Sequence, residues 1–158
     1  MEKLSYIDWA TFGKNAQELA RQVKKNGADF DLVIGVAQAG IPLALAIADE
    51  LDREVDIIRV KSYTGINKRT EPKILNKLSK NINGMSVLVV DDLVDHGITM
   101  NTLIAYLKTK HPKSITTAVL FKKPWSKFTP DFYLKTVDTW VVFPWNTKKD
   151  TKESKMLG

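Results

Sequence analysis

The sequence predicts a single-domain α/β protein with a mainly parallel, twisted sheet flanked by helices. Three observations predict it. Apolar runs of strand length alternate along the chain with segments of helical spacing. The strand runs are continuously apolar, as expected of a sheet covered on both faces. The chain has 158 residues with no internal repeat or low-complexity linker, which suits one domain with a sizeable core.

Taking the elements in order, Thr11 is expected to cap a helix over 12–25, with Phe12, Ala16, Leu19, Ala20 and Val23 on one face and Gly27 as its stop. DLVIGV (31–36) reads as a buried strand. IPLALAIADEL (41–51) reads as a helix with Pro42 in its first turn, and VDIIRV (55–60) as the next strand. Residues 61–72, KSYTGINKRTEP, are polar and hold Gly65 and Pro72, so they read as a loop, while KILNKL (73–78) is ambiguous. MSVLVVD (85–91) is a strand, ITMNTLIAYLKTK (98–110) a helix, SITTAVLF (114–121) a strand and TWVVF (139–143) a late short strand. The domain is expected to occupy 1–146. Residues 147–158 have little to bury and are expected to form a flexible tail.

Composition narrows the function classes. Hydrophobic residues make up 44% and charged residues 27%, which fits a globular chain in water. No apolar stretch approaches the roughly 20 residues of a membrane span, and the opening MEKLSYIDWA lacks the apolar run of a secretory signal. The absence of cysteine excludes disulfides and thiolate metal sites and fits a reducing cytoplasm. A net charge of +6 favours anionic partners. No nucleic-acid motif accompanies it, so neither nucleic acid nor membrane is expected as a partner.

In mainly parallel sheets ligands bind beyond the carboxyl ends of the strands. The loops after Val36, Val60, Asp91, Phe121 and Phe143 should therefore gather along one edge. VLVVDDLVDHGIT (87–99) is the most informative of these strand ends. Asp91 and Asp92 stand where the strand closes, Asp95 follows, and a helix then begins. A helix N-terminus has unpaired N–H groups and a positive dipole end, which suits a phosphate. Gly97 lets the backbone approach closely, and the Thr99 hydroxyl adds a donor. Carboxylates repel phosphate, so the acidic pair must face sugar hydroxyls or a magnesium ion. The plainer alternative is that the three aspartates cap a helix and solvate a strand end. The stretch lacks the Gly-Lys-Thr core of a P-loop and the spaced glycines of a dinucleotide fingerprint.

VLVVDDLVDHGIT resembles the phosphoribosyl pyrophosphate (PRPP) motif of type I phosphoribosyltransferases: an apolar strand, two acidic residues, then Asp-Thr/Ser-Gly-x-Thr. The resemblance spans roughly 6–146 and is greatest to the 6-oxopurine (xanthine-guanine) members. It implies that Asp95, His96, Gly97, Ile98 and Thr99 hold the 5′-phosphate. It sets Asp91 and Asp92 against the ribose hydroxyls, Asp92 near magnesium, and Asp95 beside purine N7 to manage its proton. His96 departs from the motif, standing where the family has Thr or Ser.

GVAQAGIPLA (35–44) resembles the family's pyrophosphate loop. That resemblance implies pyrophosphate contacts from Ala37, Gln38, Ala39 and Gly40 and a cis peptide at Ala37–Gln38. Gln38 is a second departure, because the nearest relatives carry Arg there. KSYTGINKRTEP resembles the mobile lid that closes over the site. In it Ser62 and Tyr63 open the lid, Arg69 contacts pyrophosphate and Lys68 is a further candidate. FKKPW and DTWVVFPWN resemble the base site, implying that Lys123 donates to O6, Trp140 stacks on the purine and the Val141 carbonyl accepts from its edge. An ammonium carries donors only, so it suits an oxo group and opposes the amino group of adenine.

The resemblance therefore implies a magnesium-dependent, cytoplasmic, homodimeric or homotetrameric purine-salvage enzyme. It would transfer 5-phosphoribose from PRPP to guanine, hypoxanthine or xanthine, giving a nucleoside 5′-monophosphate and pyrophosphate. Three other readings stand beside it: an adenine phosphoribosyltransferase, a non-enzymatic PRPP-sensing regulator, and an unrelated nucleotide-binding domain of the same architecture.

Overall fold

The computed structural model of the protein describes residues 3–65 and 68–146, apart from the side chains of 62–71. In chain order the elements are β1 (Leu4–Tyr6), α1 (Trp9–Lys25), β2 (Leu32–Ala37), α2 (Ile41–Leu51), β3 (Val55–Gly65), β4 (Lys68–Ile74), β5 (Ser86–Val94), α3 (Ile98–Lys108), β6 (Ser114–Lys122), β7 (Phe132–Thr136) and β8 (Trp140–Val142). Six strands form a sheet in the order β4-β3-β2-β5-β6-β7, and β1 pairs with β8 in a separate two-stranded sheet. Neighbours from β3 through β7 run parallel, while β4 lies antiparallel to β3 at the edge. The fold is therefore the expected single α/β domain with a mainly parallel sheet.

The continuous apolar runs have a direct structural cause. Successive side chains of a strand point to opposite faces. In β5, Leu88 and Val90 pack with Leu19 of α1 and Leu43 and Ile47 of α2. Val87 and Val89 enter the opposite layer with Met100, Leu103 and Leu107 of α3. Both faces are covered, so no position in the run has water to point into.

Strand order reverses between β2 and β5. The chain leaves β2 through α2 to reach β3 on one side, and leaves β5 through α3 to reach β6 on the other. The two connections diverge and open a crevice at the carboxyl ends of β2 and β5, the usual ligand position in such sheets.

Several expectations need correction. Helix α1 begins at Trp9, and its cap is Asp8, whose carboxylate accepts from Thr11 N at 2.7 Å. Trp9, Ala10 and Thr11 are exposed, so the apolar face beginning at Phe12 points three residues too late. The expected loop at 61–72 is instead most of an antiparallel ribbon, with Thr64 opposite Arg69 and Gly65 opposite Lys68. A ribbon at a sheet edge need not bury a face, so polar residues are no bar to it, and the edge position also tolerates Pro72. The ambiguous 73–78 segment supplies the last two residues of β4. Strands β1 and β7 were not foreseen, and the late strand pairs with β1 rather than joining the main sheet. The tail, 147–158, lies outside the described residues.

Candidate active site

The strand bearing the acidic pair does not stop at Asp91. Strand β5 continues to Val94, and Asp91 stays in register opposite Val119 of β6. Asp92 N donates to Asp91 Oδ1 at 2.8 Å, and Leu93 N donates to Asp92 Oδ1 at 2.7 Å. Desolvation pushes the Asp91 carboxyl well above the usual carboxylate range. The charge of Asp92 and a hydrogen bond between the two side chains push the same way, and the Asp92 backbone N–H opposes them.

This shift has a consequence for stability. A carboxyl whose folded value is raised favours the folded state at low pH, and that advantage is lost as pH rises through the raised value. At neutral pH the charged pair therefore costs stability. Asp91→Asn should raise the thermal midpoint of the ligand-free protein at pH 7–8, and the gain should fade as pH is lowered toward 4. Thermal melts across that range check it.

Beyond β5 the chain turns through Asp95 and His96 into Gly97, the N-cap of α3, where φ is +87°. A Cβ on Gly97 would also lie 2.4 Å from Phe128 Cβ, so both conformation and space require glycine. No side chain caps this helix start, and Ile98 and Thr99 form its first turn. The backbone there has the form of an anion cradle.

Across the crevice, Ala37 ends β2, Gln38 and Ala39 form the turn, and Gly40 caps α2. The Ala37–Gln38 peptide is cis, as the resemblance implied. Gly40 has an ordinary helical φ of −78°. What demands glycine there is proximity: a Cβ would meet Val36 O at 2.6 Å, Val90 O at 2.7 Å and Asp91 Cα at 2.9 Å. The turn after β2 thus rests directly on the backbone of the acidic strand.

A cavity of about 230 Å³ opens beside Asp95, and no residue of the Ala37–Gly40 turn lines it. Its walls bring together Asp92, Asp95, Lys123, Trp140 and Val141, which come from three separate stretches of sequence. Lys123 follows β6 directly and is 6% exposed, and its Nζ donates to the Thr139 carbonyl. An ammonium has three donors, so others are left for a ligand. Trp140 begins β8 and is 38% exposed, leaving an aromatic face open. Strand β8 is fixed by β1, and Trp140 N donates to Lys3 O at 2.9 Å.

Four lining residues were missed in the sequence: Leu93, Trp125, Phe143 and Asn146. Trp125 lies two residues after Lys123 in FKKPW, and that proximity was the one available signal. A larger hollow of about 540 Å³ lies at the amino end of β6, lined by Lys108, His111 and Asp131 among others, and it holds none of the expected residues. The side chains of Ser62, Tyr63, Lys68 and Arg69 lie outside the described side chains, although their backbones belong to β3 and β4.

An acidic pair that raises its own proton affinity fits a divalent cation, which would relieve the repulsion. Among the described residues no group of three or more acidic or histidine side chains forms a metal cage. Magnesium bound through one or two carboxylates and substrate phosphates needs none.

Comparison with known proteins agrees with this arrangement. The model of the phosphoribosyl transferase domain matches residues 4–152. A xanthine-guanine phosphoribosyltransferase of Cereibacter sphaeroides is 31% identical over 153 residues, covering 92% of this chain and 88% of that protein. The crystal structure of a purine phosphoribosyltransferase from Pyrococcus horikoshii superposes with a TM-score of 0.80 at 32% identity, covering 90% of this chain and 93% of that one. A Helicobacter pylori xanthine-guanine-hypoxanthine phosphoribosyltransferase gives 0.79 at 28% identity, over 97% and 99% of the two chains.

Proposed function

The chain belongs to the phosphoribosyl transferase domain family, and on that premise we propose that it is a purine-salvage enzyme moving 5-phosphoribose from PRPP to a 6-oxopurine. The observation that carries the reading is the cavity of about 230 Å³ in which Asp92, Asp95, Lys123, Trp140 and Val141 converge. Its fittings are those a 6-oxopurine requires: an ammonium for O6, an exposed indole for the ring, a backbone acceptor for the opposite edge and a carboxylate for the N7 side.

In this reading the turn from Asp95 to Thr99 grips the 5′-phosphate. Asp91 and Asp92 face the ribose hydroxyls. The Ala37–Gly40 turn and Arg69 receive the pyrophosphate, with Ser62, Tyr63 and Lys68 contributing from the β3–β4 ribbon. Asp92 would hold magnesium, which when bound supplies positive charge to the departing diphosphate. Purine N9 is held near C1′ while the bond to pyrophosphate loosens, so positioning carries much of the rate. Asp95 takes or relays the proton that N7 must release. In this reading the β3–β4 ribbon acts as the lid that keeps water from the cationic sugar. Phosphorylated sugars do not cross membranes unaided, so the reading carries a cytoplasmic location. It also carries a homodimer or homotetramer, readable by light scattering.

The test is pyrophosphate release from PRPP and magnesium with guanine, hypoxanthine, xanthine and adenine. At least one 6-oxopurine should react, and adenine should trail it by roughly 10²–10⁴ in kcat/KM, because it meets Lys123 donor to donor. Lys123→Gln should lower kcat/KM for guanine and hypoxanthine roughly ten- to hundredfold. Unchanged selectivity in that variant would remove Lys123 from the pocket.

A further inference from the structure

We propose that Trp125 is a positioning residue for Asp95, and that it sets the spacing between the groups serving N7 and O6 of the base. The inference rests on the functional reading above and adds to it a residue to which the motifs give no role.

The geometry is specific. Trp125 Nε1 donates to Asp95 Oδ1 at 2.6 Å. The face of the same indole lies under the Lys123 ammonium, whose Nζ is 5.3 Å from the ring centroid. One side chain thus touches both the carboxylate expected at N7 and the cation expected at O6. On a 6-oxopurine those two atoms are neighbours on one edge, so the distance between their protein partners must match the distance between the atoms. A rigid ring bonded at its N–H end and stacked at its face can hold that distance.

Asp95 has particular need of such support. Its side chain is 56% exposed and sits in a turn rather than a strand. Its other close neighbour is His96, with Nδ1 3.1 Å from the same Oδ1. Two groups thus converge on Oδ1 and leave Oδ2 for the base. A carboxylate with one oxygen tied is restricted in χ2, and Oδ2 is then aimed before the purine arrives. Of the two neighbours, Trp125 is the stronger anchor. An indole Nε1 is always a donor, whereas His96 Nδ1 donates only in one tautomer or when protonated.

The interaction should appear in kinetics as a loss in kcat. Trp125→Phe keeps an aromatic ring for Lys123 but removes the N–H. It should lower kcat roughly ten- to hundredfold while leaving KM for PRPP in place. The decisive comparison is a double-mutant cycle with Asp95→Ala. With the carboxylate gone there is nothing to aim, so Trp125→Phe should then cost less than about twofold further. Equal losses in the two backgrounds would overturn the proposal and leave Trp125 as wall packing. A second measurement needs no turnover. The chain has four tryptophans, so the ¹H–¹⁵N spectrum should show four indole resonances. The resonance that disappears in Trp125→Phe should be the one that moves most in Asp95→Ala. If it stays in place, the bond is absent in solution and the proposal falls. A wild-type protein inert with every purine would sink the functional reading instead, while the indole resonance would still judge the bond.

Discussion

Asp95→Asn should lower kcat by roughly 10²–10⁴ and leave KM for PRPP unchanged, the range expected when a positioned acid–base group is removed. The separation of the two constants is the point of the experiment. In the proposed arrangement the 5′-phosphate is held by backbone N–H groups of the turn and helix start, and the asparagine keeps the turn's size and shape. What it loses is the capacity to accept a proton. An uncharged amide cannot take the N7 proton, so the loss should fall on the chemical step. The side chain is more than half exposed, so the change should not come from a folding defect. Steady-state kinetics with PRPP varied at saturating purine checks it. Equal kcat in the variant would withdraw the proton role from Asp95.

Gly40→Ala should damage both the fold and the binding of PRPP. Most glycine substitutions act through φ, but Gly40 has a helical φ that alanine adopts readily. The obstacle is three backbone atoms within 3 Å of the new carbon, Val36 O, Val90 O and Asp91 Cα. None is the end of a flexible side chain, so either the turn after β2 or the acidic strand must shift. Both belong to the proposed site, one at the pyrophosphate and the other at the ribose. We expect PRPP binding to weaken by at least about tenfold, together with a lower thermal midpoint, since overpacking of this kind costs about 1–3 kcal/mol. Calorimetric titration of PRPP with magnesium, beside a thermal melt, checks both. A variant that bound and melted as the wild type would mean that the turn and the acidic strand are not in contact.

The two expectations differ in what a sequence reader could see. Asp95 belongs to a contiguous motif on a strand whose apolar run announces itself, and Lys123 and Trp140 follow at recognisable places. The central strands were legible for the same reason: burial on both faces leaves a continuous hydrophobic signature in β2, β5 and β6. The edges left no such mark. Strand β1 has three residues, and the β3–β4 ribbon is polar on much of its length because no core obliges it otherwise. Strand β7 mixes half-buried and exposed positions at the far edge of the sheet. The α1 cap is misplaced because Asp8 precedes Trp9, Ala10 and Thr11, which are exposed and fall off the apolar face that begins at Phe12. Trp125 was overlooked because its partner lies 30 residues away, a separation that only the parallel pairing of β5 with β6 closes.

The two-stranded β1–β8 sheet links the proposed purine pocket to residues 4–6. Trp140 is held in place by Lys3 and Leu4, more than 130 positions earlier, while the turns proposed to grip the phosphates are built from residues 37–40 and 95–99. Removing residues 1–6 would loosen the proposed shelf beneath the base and spare the proposed sugar-phosphate grip. Protein lacking residues 1–6 should therefore rank the bases differently from protein that keeps them, while the two share one affinity for PRPP.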